Sequence, residues 1–221
     1  MKNLKERAIA IHKKLLEAFG EPIWRTPLPA IDELVSTILS QNTNDINRDR
    51  GFNALRAKFP SWEEVRDAKA EDVINAIRPA GLANQKGPRI QQVLRAITEE
   101  RGLLNLDFLA GLPVEEARAW LTKFNGVGPK TAAIVLCFSL NMPAFPVDTH
   151  IYRISGRTGL RPEKMTVEQA HPYLESLFPP ETYYAAHLNL ISLGREICSA
   201  RKPNCPKCPI IKLCDYKEKT K

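Results

Sequence analysis

A lysine stands where a helix should begin. The run Phe124-Asn125-Gly126-Val127-Gly128-Pro129-Lys130-Thr131 lies between two stretches of helical apolar spacing, 114–123 and 129–140. Its two glycines permit positive φ and close backbone approach. Pro129 suits the first helical position, where a missing amide leaves no bond unmade. Amides exposed at the positive end of a helix hold a phosphate without reading sequence. Gly-Val-Gly alone fits equally well a helix connection that binds nothing. Lys130 adds chemistry to the turn. A cation in a first turn opposes the helix dipole at a cost of about 0.3–1 kcal/mol, so stability alone does not select it. The same field, and any burial, favour the uncharged amine, which is a nucleophile; a lysine that only pairs with phosphate is the equal alternative.

Downstream, Pro146-Val147-Asp148-Thr149-His150 precedes the helical pattern 151–157. An aspartate at that place caps the helix by accepting from a first-turn amide, and capping alone accounts for it. A third group is Cys198-x6-Cys205-x2-Cys208-x5-Cys214. Four thiols crowded together in a mid-sized chain of intracellular character read as metal ligands rather than as a disulfide framework. Such a set can hold a tetrahedral zinc or a 4Fe-4S cluster. Zinc ribbons usually carry two short Cys-x2-Cys knuckles, and the single short pair here favours the cluster. Arg201 and Lys202, between the first two cysteines, are placed either to meet a phosphate or to be solvated. Cys137 lies within an apolar helical segment and reads as core.

The elements that must position these groups read as helices throughout. Leu4, Ala8, Ile11, Leu15 and Phe19, then Ile31, Leu34, Val35, Ile38 and Leu39, recur at helical spacing. Neither a period-two alternation nor an internal repeat is evident, so the fold class is all-α with short loops. Ser61 with Glu64 and Thr166 with Gln169 fit capping boxes, while Gly20, Pro79 and Gly102 mark helix stops. Pro143 and Pro146 interrupt the helical pattern and mark an internal boundary. The expected organisation is a central helical domain over 21–142 that carries the hairpin. A second lobe joins 1–20 to 143–221 and holds the cysteine loop 198–214.

Composition agrees with a globular chain: of 221 residues, 43% are hydrophobic and 26% charged, which excludes disordered and collagen-like classes. Lys and Arg outnumber Asp and Glu by 32 to 25, a net charge of +7 that favours a polyanionic partner. No apolar run approaches the roughly 20 residues that span a bilayer, and the first segment lacks a signal-peptide pattern. A soluble intracellular protein is expected.

Taken together, the lysine-bearing hairpin, the Val147-Asp148-Thr149-His150 segment and the cysteine spacing resemble the endonuclease III family of helix-hairpin-helix DNA glycosylases. The resemblance extends from Leu34-Val35-Ser36-Thr37-Ile38-Leu39-Ser40 through Gly81-Leu82 to Asp215-Tyr216-Lys217. It implies two helical lobes flanking a DNA-binding cleft, with Lys130 and Asp148 facing each other across it. The implied cofactor is a 4Fe-4S cluster on Cys198, Cys205, Cys208 and Cys214. The implied partner is double-stranded DNA with damaged bases or abasic sites. A monomer in a prokaryote-like, nucleoid-associated cytoplasmic setting follows from the same resemblance, with no membrane partner.

By that resemblance the protein is a base-excision-repair glycosylase with AP-lyase activity. Lys130 attacks the anomeric carbon of a flipped nucleotide and expels a damaged base, an oxidised pyrimidine. Asp148 stabilises the cationic sugar and assists proton transfer. The Schiff base then allows β-elimination of the 3′ phosphate. Extrusion is needed because a base inside a duplex is inaccessible. Gly126, Gly128, Arg201 and Lys202 are the implied phosphate contacts. Family members carry Leu-Ser-Ala-Gln-Ala-Thr-Asp where this chain has Leu39-Ser40-Gln41-Asn42-Thr43-Asn44-Asp45, so Asn42 aligns with the glutamine that fills the gap left by the flipped base, with Gln41 beside it. Leu82 resembles the residue that wedges the opposite strand. The hairpin departs from the usual Leu-Pro and Arg at Phe124-Asn125 and Pro129, which leaves phosphate binding by the glycine amides intact. Two other readings remain. One is a monofunctional glycosylase for mismatched or alkylated bases, in which Asp148 activates water and Lys130 only binds. The other is a non-catalytic DNA-binding module with a redox-sensing cluster.

Overall fold

The computed structural model describes residues 2–23 and 26–216; Lys217, where the resemblance ends, lies outside them. In chain order the helices are α1 (Lys2–Phe19), α2 (Ala30–Ser40), α3 (Asp45–Lys58), α4 (Trp62–Asp67), α5 (Ala70–Ile77) and α6 (Ala83–Arg101). They continue as α7 (Val114–Thr122), α8 (Pro129–Ile134), α9 (Thr149–Arg157), α10 (Val167–Glu175) and α11 (Tyr183–Glu196). No strand occurs among the described residues, as the helical spacing requires. The chain forms two compact units, one of Met1–Thr26 with Pro143–Lys221 and the other of Pro27–Met142. Residues 21–23 and 26, expected at the start of the central domain, group with the chain ends.

In the unit of residues 27–142, α2 is the central rod and packs on α3, α6 and α8. Leu34, Val35, Ile38 and Leu39 are wholly or almost wholly buried along it. Removing a Leu, Ile or Val side chain from water contributes about 1.5–3 kcal/mol each. Two glycines allow unusually close packing around the turn that follows α5. A Cβ on Gly51 of α3 would stand 2.8 Å from the Cβ of Ala80, and one on Gly87 of α6 would stand 2.9 Å from Cγ1 of Ile74. The helix expected over 129–140 changes character partway: α8 gives way to a π-helical turn at Val135–Ser139, with Val135, Leu136 and Cys137 buried. Cys137 is core, 5% exposed.

In the other unit α1 and α9 pack on α11. Ala8, Ile11 and Leu15 of α1 are fully buried, whereas Leu4 and Phe19 are only half-buried. The end of α1 is fixed by Gly20 at φ +80° and by Asn189 of α11, which donates to its carbonyl at 3.0 Å. Thr166 and Gln169 form a full capping box on α10. Ser61 accepts from the Glu64 amide at 3.1 Å, but its hydroxyl donates to the Glu64 carboxylate, so only half of the expected box forms on α4. Among the described residues no helix is long and apolar enough to cross a membrane.

Candidate functional site

The hairpin belongs to the unit of residues 27–142. Val127 donates its amide to the carbonyl of Phe124 at 3.0 Å, closing a turn ahead of α8. Of the two glycines only Gly126 uses positive φ, at +90°; Gly128 is extended at φ −88°, ψ 177° and serves as the N-cap of α8. The reasons for the two glycines therefore differ. A Cβ on Gly126 would meet Cδ of Arg89 at 2.1 Å, whereas nothing lies within 4 Å of one on Gly128. Gly126 is demanded by packing and backbone, and Gly128 leaves its surface open to a close ligand. Pro129 and Lys130 follow as the first two residues of α8, and Lys130 is half-buried.

The segment after α2 turns towards the hairpin. The Gln41 amide nitrogen donates to the Gly126 carbonyl at 3.3 Å, and its oxygen accepts from Arg89 Nη1 at 3.2 Å. The Gln41 side chain, expected at DNA, thus braces the hairpin. Asn42 is exposed and sits at φ +53°, a left-handed conformation that Asn tolerates better than most residues. Asn44 caps α3 by accepting from the Asn47 amide at 2.9 Å. Two of the polar departures in this segment therefore serve local backbone needs.

Leu82 adopts φ +51° and ψ +31° immediately after Gly81 at φ +68°. For a leucine this costs about 1–3 kcal/mol. The side chain is nonetheless 46% exposed and gains little from burial. A strained, exposed leucine is a poor choice for stability, and such outliers gather at functional sites. Arg78, Ala83, Asn84 and Gln85 line an open groove beside it.

One residue here escaped the sequence reading. Lys86 is 1% exposed, and its ammonium donates to the carbonyls of Leu39 at 2.7 Å and Ala80 at 2.8 Å. Burial holds its pKa below the ordinary lysine range. Its signal in the sequence is a position on the apolar stripe of α6, one turn before Ile90 and in line with Leu94 and Ile97.

Asp148 belongs to the other unit. It caps α9, its Oδ1 accepting from the Ile151 amide at 2.8 Å. Capping occupies one carboxylate oxygen and leaves the negative charge in place. Two buried histidines hold the segment that leads into it. His187 Nδ1 lies 2.8 Å from the Pro146 carbonyl, and His171 Nδ1 accepts from the Val147 amide at 3.3 Å. Isolated histidines carry no spacing signal, and the sequence reading missed both.

The same helix anchors the cysteine loop. Arg153 donates to the Cys198 carbonyl through Nε at 3.0 Å and Nη2 at 2.8 Å. Arg157 donates to Cys198 Sγ at 3.2 Å and to the Ser199 and Ala200 carbonyls at 2.8 Å each. Cys198, Cys205, Cys208 and Cys214 line one pocket with Ile197 and Ile211. Burial pushes the Cys208 thiol up, a bond from the Ile210 backbone opposes this, and the crowding of the other three sulfurs adds to it. Four half-buried thiols gathered around one pocket are a soft donor set of the kind that holds metal. Among the described residues, no three His, Cys, Asp or Glu side chains close on a point as the ligands of a single ion would. Arg201 and Lys202 are exposed on the loop, which Ser199 braces by donating to the Lys202 carbonyl at 2.6 Å.

Residues 35–180 match the family model of the HhH-GPD superfamily base excision DNA repair proteins. A candidate DNA glycosylase of Arabidopsis thaliana is 40% identical over 177 residues, 80% of this chain and 60% of that one. Endonuclease III of Thermotoga maritima is 34% identical over 183 residues, 83% of this chain and 81% of that one. In three dimensions the chain superposes on endonuclease III from a non-covalent DNA complex with a TM-score of 0.80, at 27% identity, covering 95% of this chain and 94% of that one.

Proposed function

The chain belongs to the HhH-GPD superfamily of base excision DNA repair proteins, and on that premise we propose that it is a bifunctional DNA glycosylase and AP lyase acting on damaged double-stranded DNA. The observation that carries this reading is Lys130 itself, in the first turn of α8 directly after a hairpin whose Gly128 face is open. In this reading the hairpin amides hold a phosphate, and the Lys130 amine attacks the anomeric carbon of the extruded nucleotide. The C–N bond to the base breaks, and the base leaves with a proton that Asp148 helps to deliver. The Asp148 charge stabilises the cationic sugar as it forms. Loss of a proton from C2′ of the resulting imine expels the 3′ phosphate. Asn42 fills the gap left in the duplex, Leu82 wedges the opposite strand, and Arg201 and Lys202 meet backbone phosphate.

The substrate class of this reading is oxidised pyrimidines. A panel of duplexes, each with one lesion, tests it: excision followed by strand nicking is expected for an oxidised pyrimidine. Excision confined to mismatched or alkylated bases, without nicking, favours a monofunctional enzyme.

Cys198, Cys205, Cys208 and Cys214 are proposed to hold a 4Fe-4S cluster. Four thiols around one pocket, with a single short Cys-x2-Cys pair rather than the two knuckles usual in zinc ribbons, support this reading. The bound cluster would supply cross-linking of the loop, and α9 would transmit that order to Asp148 through Arg153 and Arg157. Protein prepared without oxygen is expected to be brown, with about four irons per chain. Cys205→Ser should lose the colour and loosen the 198–214 loop to protease. Stoichiometric zinc without iron would refute this assignment.

A further inference from the structure

Lys86 is an expensive residue for its place. It stands in the first turn of α6, where the helix field opposes a cation, and it is 1% exposed, where low polarity opposes it again. A methionine of similar length would fill the same space without either penalty. What the ammonium does have is two carbonyl acceptors from different parts of the chain. Leu39 is in the last turn of α2, three residues before Asn42, and Ala80 is two residues before Leu82. Beyond each acceptor the chain enters a left-handed non-glycine residue that projects into solvent. Both carbonyls are thus pinned just where the backbone leaves the packed interior.

We propose that Lys86 is a positioning residue for nucleotide extrusion, its ammonium tying the Asn42 segment to the Leu82 segment so that the two enter the duplex as one rigid piece. The proposal rests on the assignment of Asn42 and Leu82 as the residues that enter DNA. Two further features support it. Ala80 is wedged on its other side by Gly51 of α3, where no Cβ fits. Arg89, three residues beyond Lys86 on α6, holds Gln41 and packs on Gly126, so α6 sets the spacing of all three segments. A pair of residues that must enter one duplex together gains from fixed separation, because misplacement by about 1 Å can cost about a hundredfold in rate.

The test compares a lesion that must be extruded with a site that has no base to extrude. Lys86→Met keeps the length and apolar fill of the side chain and removes both bonds. Single-turnover excision from a fully paired duplex is expected to fall by about tenfold or more. The fluorescence rise of a 2-aminopurine placed beside the lesion should slow in step. Borohydride trapping on a preformed abasic duplex should stay within about threefold of wild type, since no base pair has to be opened. Lys86→Gln, a shorter donor, should fall between the two. Equal losses in both assays for Lys86→Met and Lys86→Gln would show that Lys86 serves the fold alone, and unchanged excision by Lys86→Met would show that the tie is dispensable; either overturns the proposal. Wild-type protein that neither excises nor traps overturns the functional reading and this proposal with it, a result distinct from both.

Discussion

Borohydride is expected to join the wild-type protein covalently to a duplex carrying an abasic site, and Lys130→Gln is expected to abolish that product completely. Trapping requires an imine between a primary amine and C1′ of the open sugar, which the reagent reduces to a stable secondary amine. A glutamine amide has no nucleophilic lone pair to offer in its place. The substitution leaves the rest of the hairpin alone. Gly126 keeps its positive φ against Arg89, Gly128 keeps its open face, and Pro129 still starts α8. Binding to the same duplex should therefore survive. Removing one cation lowers the number of neutralised phosphates by at most one, so the slope of log affinity against log salt should change by no more than about 0.9. A filter-binding salt series run beside the trapping gel separates the two effects. Loss of binding equal to loss of trapping would show that Lys130 holds DNA and forms no covalent bond.

Asp148→Asn is expected to slow base removal from a damaged duplex by about 10²–10³-fold in single-turnover measurements, the cost typical of losing one preorganised electrostatic stabiliser. This substitution isolates charge from structure. Asn caps a helix as well as Asp does, so the bond from the Ile151 amide to the side-chain oxygen should persist and the melting temperature should hardly move. The segment ahead of it stays pinned by His171 and His187. On a preformed abasic duplex the same variant should lose far less, because no glycosidic bond remains to be broken and no sugar cation forms. A drop of equal size on both duplexes would move Asp148 to the imine steps. A fall in melting temperature without a fall in excision would leave it a cap and nothing more.

Much of this architecture was legible in the sequence because helices announce themselves through spacing and punctuation. The capping box at Thr166, the stop at Gly20 and the hairpin between α7 and α8 all follow from local rules that tertiary packing had no reason to override. The π-helical turn after α8 did not show, since its apolar residues keep a spacing close to that of an α-helix over so few positions. The two glycines of the hairpin looked alike in sequence and proved different. Gly126 answers both a positive φ and the close approach of Arg89, and no local rule anticipates the side chain of Arg89.

Partnerships over long sequence separation were the systematic blind spot. Gln41 was placed beside Asn42 at the DNA by the resemblance, and nothing local in the sequence announces the bond from its amide to Gly126, 85 residues away. Lys86 reads as a solvated helix lysine unless its place on the stripe with Ile90, Leu94 and Ile97 is noticed. Arg153 and Arg157 are ordinary basic residues in the pattern of α9, and only the folded chain sets them against Cys198. The cysteine spacing, by contrast, was informative because four thiols in one short loop are brought to one pocket by local chain geometry. Leu82 lay between: the resemblance marked it as the residue that wedges a strand, but the left-handed φ on the leucine itself is a strain visible only in the fold.

The central claim is that Lys130 is the amine that reacts with DNA. The most direct measurement is a mass map of the peptides recovered after borohydride trapping on an abasic duplex, with the DNA digested to the linked sugar remnant. The account predicts a single modified peptide containing Gly128-Pro129-Lys130-Thr131, with the added mass on the Lys130 side chain. Modification at the amino terminus or at another lysine, with the Lys130 peptide recovered unmodified, would contradict it.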